Sequence, residues 1–278
     1  MTEQHTIRRI LVALDASPAS LEGLKTAAEL AERLNAELYG LFVEDIDLLR
    51  AVELPFVTEI GYLSMIGRRL EPSRLEQQLR GQAEQIRRAL AAAADRRGLT
   101  WNFRTIRGPV ARELISAGTE ADLIIMGRSG RSFLGSRRVG SSVRAVIAQR
   151  RGLTMILHRC CEPDQPVVVY DGTDTARKAL DAALHFMVDR EGPISVFLLA
   201  DSKAEAQTFR EAVTEQLKPH GLTARFRPLI SSNPMVVAHF VGMESTGPLL
   251  LPAEKWSGRE AELLELVKEV TNPVLVVK

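Results

Sequence analysis

Gly127, Gly130, Gly140 and Ser141 are the residues whose types and spacing best suit a chemical task. A short apolar run, Leu123 to Met126, precedes them, and a helical pattern, Val143-Arg144-Ala145-Val146-Ile147, follows. A run that brief and uncharged reads as a buried strand. In the order strand, glycine loop, helix start, main-chain N–H groups can turn toward an anion without a Cβ in the way. The first N–H groups of the helix have no internal acceptor, and its dipole favours negative charge there. The chemistry on offer is phosphate binding.

The charge pattern agrees. No acidic residue lies between Asp122 and Glu162, whereas Arg128, Arg131, Arg137, Arg138 and Arg144 fall in or beside the loop. A Walker loop is excluded because the Gly-Lys-[Ser/Thr] ending is absent, and the Rossmann G-x-G-x-x-G is absent too. A plain surface loop with solvated arginines is the competing reading. It leaves both the glycine spacing and the missing acids unexplained.

The loop meets the spacing G-x2-G-x9-G-[S/T] residue for residue, and in this it resembles the universal stress protein family. The elements around it fit such a fold. Ile7 to Leu14 is a β-rich run ending at Asp15, and Ser17-Pro18 supplies an N-cap and a first helical proline. Leu24, Ala27, Ala28, Ala31 and Leu34 then form one apolar stripe. Glu37 to Val43 reads as the second strand, parallel to the first through a right-handed crossover. Residues 44–71 are irregular: a lid, a dimer contact, an interfacial segment, or a loop with a short helix on the sheet edge. A helix over 73–97, a strand over 100–106, a Gly108-Pro109 turn into another helix, the glycine loop, a helix over 141–150 and a strand over 153–157 complete the half. Alternating β and α elements with apolar strands predict an α/β fold of open, mostly parallel sheet flanked by helices.

Ligands of such sheets bind beyond the carboxyl ends of the strands. Here the resemblance becomes specific. It implies that Asp15 lies near the sugar of a nucleotide. It implies that Val43, in the pattern L-x-V-x-[D/E], offers its backbone to adenine. It implies that Gly127, Gly130, Gly140 and Ser141 hold the phosphates, with Met126 and Ser142 flanking, and Arg128 is counted with this set. The expected ligand is ATP, with ADP or AMP as alternatives and Mg2+ as a possible companion. Taken by itself, Asp15 is equally well read as an acid complementing a helix N-terminus.

The second half repeats the pattern. Val167 to Thr173 copies Leu11 to Ser17: strand, aspartate, hydroxyl cap. A stripe of Ala179, Ala182, Ala183 and Phe186 follows, then strands or helices at 194–200, 203–218, 224–230, after Pro234, 248–251, 259–271 and 273–277. Two tandem five-stranded units are therefore expected, residues 1–158 binding nucleotide and residues 166–278 a degenerate copy. The copy has Pro252-Ala253-Glu254-Lys255-Trp256-Ser257-Gly258 in place of the glycine loop, followed by Glu260, Glu262, Glu265 and Glu269. Like charges beside a polyphosphate repel it, so this half is expected to leave Asp171 as a cap and to bind no nucleotide. The resemblance also implies pairing through the last strands. Strands 153–157 and 273–277 are expected to run antiparallel as an intramolecular pseudo-dimer, with a homodimer as a further option.

At 278 residues, 45% apolar and 26% charged, the chain has the composition of a soluble protein of two ordinary domains. Its net charge is +1, but residues 1–157 hold 23 Lys+Arg against 18 Asp+Glu, while the remainder is acidic. Basic residues gathered in one loop without an aromatic platform argue against nucleic acid. No apolar run approaches a membrane span or a signal peptide, and the adjacent Cys160-Cys161 suggests reduced thiols, hence a cytoplasmic setting. His5, His158, His185, His220 and His239 all fall outside the first half's loop and strand ends, so no base is evident. The expectation is a nucleotide-binding stress-response regulator and not an enzyme. A slow Mg-dependent ATPase or phosphotransferase, and a ligand-free protein adaptor, are the alternatives.

Overall fold

The computed structural model describes residues 6–54, 58–60, 67–69, 71–129, 139–157, 165–187, 192–229, 233–244 and 247–278. The first half runs β1 (Arg9–Leu14), α1 (Pro18–Leu34), β2 (Glu37–Asp45), α2 (Ile46–Glu53), β3 (Thr58–Ile60), β4 (Gly67–Arg69), α3 (Pro72–Asp95), β5 (Trp101–Gly108), α4 (Val110–Gly118), β6 (Leu123–Gly127), α5 (Ser141–Gln149) and β7 (Leu153–Leu157). The second runs β8 (Val167–Tyr170), α6 (Asp174–Phe186), β9 (Ile194–Leu199), α7 (Lys203–Leu217), β10 (Ala224–Leu229), α8 (Pro234–Glu244), β11 (Leu249–Pro252), α9 (Glu260–Glu269) and β12 (Val274–Val277). Single 3-10 turns follow α7 and β11.

The fold is α/β and the sheet mostly parallel. The two five-stranded units expected from the sequence join edge to edge, through the expected pairing of their last strands, into one ten-stranded sheet ordered β10-β9-β8-β11-β12-β7-β6-β1-β2-β5. The join is antiparallel, with Val274 opposite Ile156, Leu275 opposite Met155 and Val276 opposite Thr154. Gly152 and Lys278 extend the ladder by exchanging N–H···O bonds of 3.1 and 3.3 Å. An unpaired strand edge is a template for aggregation, and this join removes two such edges at once. The two remaining outer strands, β5 and β10, alternate partly buried with exposed positions and carry Arg104, Arg107, Arg225 and Arg227.

Apolar residues on alternate sides of the strands build two cores. Ile10, Val12 and Leu14 of β1 pack with Leu24 and Ala28 of α1, Leu79 and Ile86 of α3, and the matching stripe Ala179, Leu180 and Ala183 of α6. Leu11, Ile124 and Met126 face α4 and α5, and the core continues under α8 and α9. Ser17 caps α1 as its sequence suggests, its Oγ accepting from Ser20 N–H at 3.1 Å. Within 44–71, Asp45 caps α2, which packs on α3 and β5, and β3 and β4 pair antiparallel. Strand β2 runs two residues past its expected end and β5 two past its own, extending together from Val43–Ile106 to Asp45–Gly108.

Candidate functional site

The strand order reverses direction at β1 and β6, which leaves a crevice at their carboxyl ends, the position where open α/β sheets bind ligands. A cavity of 570 Å³ opens there, of ordinary size for a small-molecule site. Its lining combines apolar residues, among them Leu41, Phe42, Val43, Val110, Leu114 and Met126, with Asp15, Asp45, Ser129, Gly140, Ser141 and Ser142. Gly127 lines it as well. Of the residues singled out by the sequence, Asp15, Val43, Met126, Gly127, Gly140, Ser141 and Ser142 are thus brought together. Gly130, Arg131, Arg137 and Arg138 lie outside the described residues.

Each is positioned for a local reason. Asp15 ends β1, and its Oδ1 accepts from Ser17 N–H at 3.0 Å, forming the turn into α1. That turn requires Ala16 at φ 61°, a left-handed conformation that costs a non-glycine residue about 1–2 kcal/mol. Ser20 Oγ, which accepts from Asp15 N–H at 3.3 Å, holds the bend. Val43 is placed by the mismatch in strand length: β1 ends at Leu14 opposite Phe42, while β2 continues with β5 as its one ladder neighbour among the described residues. The other main-chain edge of β2 therefore borders the cavity. Behind it, Glu44, 8% exposed, accepts from Arg107 Nε at 2.9 Å, and Arg107 Nη1 reaches Glu76 at 3.0 Å. The two carboxylates hold that guanidinium above its ordinary pKa and lock β2, β5 and α3 together.

The glycine loop closes on itself at the neck. Gly140 N–H donates to Arg128 O at 2.9 Å, and Arg128 N–H donates to Leu157 O at 2.7 Å. Gly127 sits against α1, where an added Cβ would lie 3.3 Å from Ala19 Cβ, so its small size serves a close approach. Gly140 is the N-cap of α5 and brings no side chain to the capping N–H groups. The N–H groups of Ser141, Ser142 and Val143 therefore have no hydrogen-bond acceptor among the described residues. No described Arg or Lys lines the cavity; among the described residues, these main-chain groups and the α5 dipole are what favours an anion there.

Two expectations from the sequence meet a different arrangement. Arg128 does not turn into the cavity: it is 4% exposed, and its Nη1 donates to Lys268 O in α9 at 2.6 Å. Arg144 is exposed and its Nε folds back onto Val139 O at 3.3 Å. Conversely, Asp45, Leu48 and Leu79 line the cavity without having been singled out. The signal for Asp45 and Leu48 was weak, since the 44–71 stretch lacks a strong period and α2 is eight residues long, whereas Leu79 belongs to the apolar stripe of α3 and reads as core.

The second half carries the same frame with the opening filled. Asp171 Oδ1 accepts from Thr173 N–H at 3.1 Å, Gly172 takes φ 78°, and Thr173 caps α6. Ala253 N–H donates to Val277 O at 2.8 Å, matching Arg128 to Leu157, but one 3-10 turn replaces the loop and buries Trp256. At Gly172 a Cβ would run into the ring of Phe209, which packs edge-on to Tyr170 with centroids 5.7 Å apart. At the start of α9, Glu260 Oε1 accepts from Gly258 N–H at 3.1 Å. Its own N–H and that of Gly258 hold the carboxyl below its ordinary pKa. An anion supplied by the chain thus stands at the α9 N-terminus, whereas the α5 N-terminus faces the cavity.

Comparison with known proteins agrees with this geometry. The sequence profile of the universal stress protein family matches residues 6–149. A universal stress protein of Methanocaldococcus jannaschii is 26% identical over 146 residues, spanning 52% of this chain and 78% of that protein. A solved universal stress protein from Archaeoglobus fulgidus has the same fold with a TM-score of 0.73 at 15% identity, covering 99% of this chain and 97% of that one. A functionally unknown protein from Pseudomonas aeruginosa PAO1 has a TM-score of 0.62 at 13% identity, covering 100% and 95%. Both likenesses span the two halves. Among the described residues no helix is long and apolar enough to cross a membrane.

Proposed function

Because the chain belongs to the universal stress protein family, we propose that it is an adenine-nucleotide-binding regulator of a stress response, acting in the cytoplasm with one site per chain. Residues 1–158 form the binding unit and residues 166–278 a degenerate copy, joined by β7 and β12 as an internal pseudo-dimer. The observation that carries this reading is the row of main-chain N–H groups at Ser141, Ser142 and Val143, residues that line the cavity and whose N–H groups have no acceptor among the described residues. They suit a phosphate, the free edge of β2 at Val43 suits a purine, and Asp15 between them suits a ribose hydroxyl.

Mg2+, when present, would arrive with the phosphates and draw on Asp15 or Asp45, the two carboxylates lining the cavity. No group of three residues able to hold a metal occurs among the described residues. The described lining side chains are hydroxyls, carboxylates and apolar groups, and with no histidine among them we read the site as one for binding.

Isothermal titration of the purified chain with ATP, ADP and AMP, each with Mg2+ and with EDTA, tests the reading. The expected result is one adenine nucleotide per chain. Affinity should rise with the number of phosphates, because the phosphate end provides the unpaired donors. No heat and no competition with any of the three at millimolar concentration would discard it.

A further inference from the structure

We propose that Arg128 is a positioning residue that couples the ligand loop of the first half to α9 of the second, so that affinity at the cavity depends on a half that has no phosphate loop. The inference rests on the nucleotide reading for its affinity arm and on geometry alone for the rest.

One residue makes three connections. Its N–H reaches Leu157 at the end of β7, and its carbonyl receives Gly140 N–H, which sets the gap between Gly127 and Gly140. Its guanidinium, almost fully buried, donates to Lys268 O. Lys268 is the penultimate residue of α9, so its carbonyl is one of the acceptors that a helix leaves unpaired at its C-terminus. The negative end of the helix dipole and Glu269 favour a cation at that spot. Burying a guanidinium without a purpose is costly, and here the purpose is a bridge across the halves. Its counterpart in the second half is Ala253, so the bridge runs one way, from the loop to α9.

Two other side chains cross between the halves, and both also end on helix C-terminal carbonyls. Lys278 Nζ donates to Ala148 O at 2.9 Å, and Arg33 Nη2 donates to Phe186 O at 3.3 Å. The Arg33 contact lies on the other side of the sheet, between α1 and α6, away from the described ends of the loop at 127–129 and 139–140. It provides the control. If α9 and the loop are coupled, whatever binds the second half and shifts α9 changes nucleotide affinity, and nucleotide in turn changes the affinity of that partner by the same factor.

The test uses the full-length chain as wild type, Arg128→Ala, Arg128→Lys and Arg33→Ala. Two readouts are taken: ATP affinity by titration, and hydrogen exchange without ATP at the amides of residues 127–129, 140–144 and the last turn of α9. Arg128→Ala should weaken ATP binding at least tenfold and speed exchange at least tenfold in both the loop and α9. Arg33→Ala should leave both within twofold. Arg128→Lys, which can still donate to the Lys268 carbonyl, should recover at least half of each loss on a logarithmic scale, and it takes over as the test variant should the alanine chain not fold. Equal effects of the Arg128 and Arg33 variants would overturn the proposal. So would an affinity loss at Arg128 with loop and α9 exchange unchanged, because that pattern belongs to direct ligand contact. If wild type binds no ATP, the nucleotide reading fails and the exchange arm still decides the coupling.

Discussion

Ser141→Glu is expected to lower ATP affinity at least a hundredfold while leaving the fold as stable as before or slightly more so. Ser141 is the first residue of α5, as Glu260 is of α9. The substitution writes the second half's arrangement into the first: a carboxylate from the chain would take the N–H groups that a phosphate needs. At about 5 Å and an effective dielectric of 20, each pair of like charges costs about 3 kcal/mol, enough for a hundredfold loss. The same carboxylate complements the helix dipole and contributes about 0.3–1 kcal/mol to stability. Titration and thermal melting of one sample measure both effects. Opposite signs separate loss of the site from loss of the fold. Unchanged ATP affinity would mean that the phosphates sit away from α5.

The largest effect on stability is expected at Arg150. This residue is 6% exposed and donates to Leu153 O at 2.7 Å, Ala121 O at 2.8 Å and Gly118 O at 3.3 Å. It therefore ties the end of α5 to the start of β7 and to the α4–β6 turn. Burial pulls its pKa down to about 10, a sign of how much water it has lost. Gly118 and Gly152 leave it room: a Cβ at either would lie 2.9 or 3.1 Å from the guanidinium. Its partners are main-chain carbonyls that no substitution can remove, so Arg150→Met takes a charged donor from three interior acceptors, of which Gly118 O retains the Ala121 N–H at 3.3 Å. We expect a loss of about 3 kcal/mol, since hydrogen bonds to charged groups contribute about 1.5–3 kcal/mol each and relaxation recovers part of the sum. Urea unfolding measures it. Arg150→Lys should recover less than half, because an ammonium cannot reach all three carbonyls at once. A neutral result for the methionine variant would show that water replaces the guanidinium there.

Much of this molecule could be read from its residues, and the parts that could not share a physical cause. The glycine spacing, the Ser17 cap and the apolar runs are local signals, and each element they announce is present within a residue or two of its expected place. The cavity residues contributed by strand ends, Asp15, Met126 and Gly127, follow from the order of the strands. Arg128 is different. Its neighbours in sequence placed it with the phosphate-binding set, but its direction is set by a carbonyl 140 positions away. Leu48 was likewise invisible, since nothing in a short helix says which cavity it borders, and Leu79 reads from its helical spacing as core. The single ten-stranded sheet arises from the antiparallel pairing of β7 with β12, which the resemblance implied for the two last strands although pairing between distant strands leaves no mark on the composition of either. Glu260 was legible as a repelling charge, but its bond to Gly258 N–H, which places it at the helix start, was not.

The central claim is that two sibling halves share a frame and only the first keeps a place for polyphosphate. Photolabelling the intact chain with 8-azido-ATP, counting labels per chain by mass spectrometry and mapping the modified peptide, tests it most directly. The account predicts a single label, competed by ATP, on the cavity wall formed by residues 41–45, 110–114, 126–129 or 139–143. Label on residues 171–175 or 253–260, or two labels per chain, would contradict it.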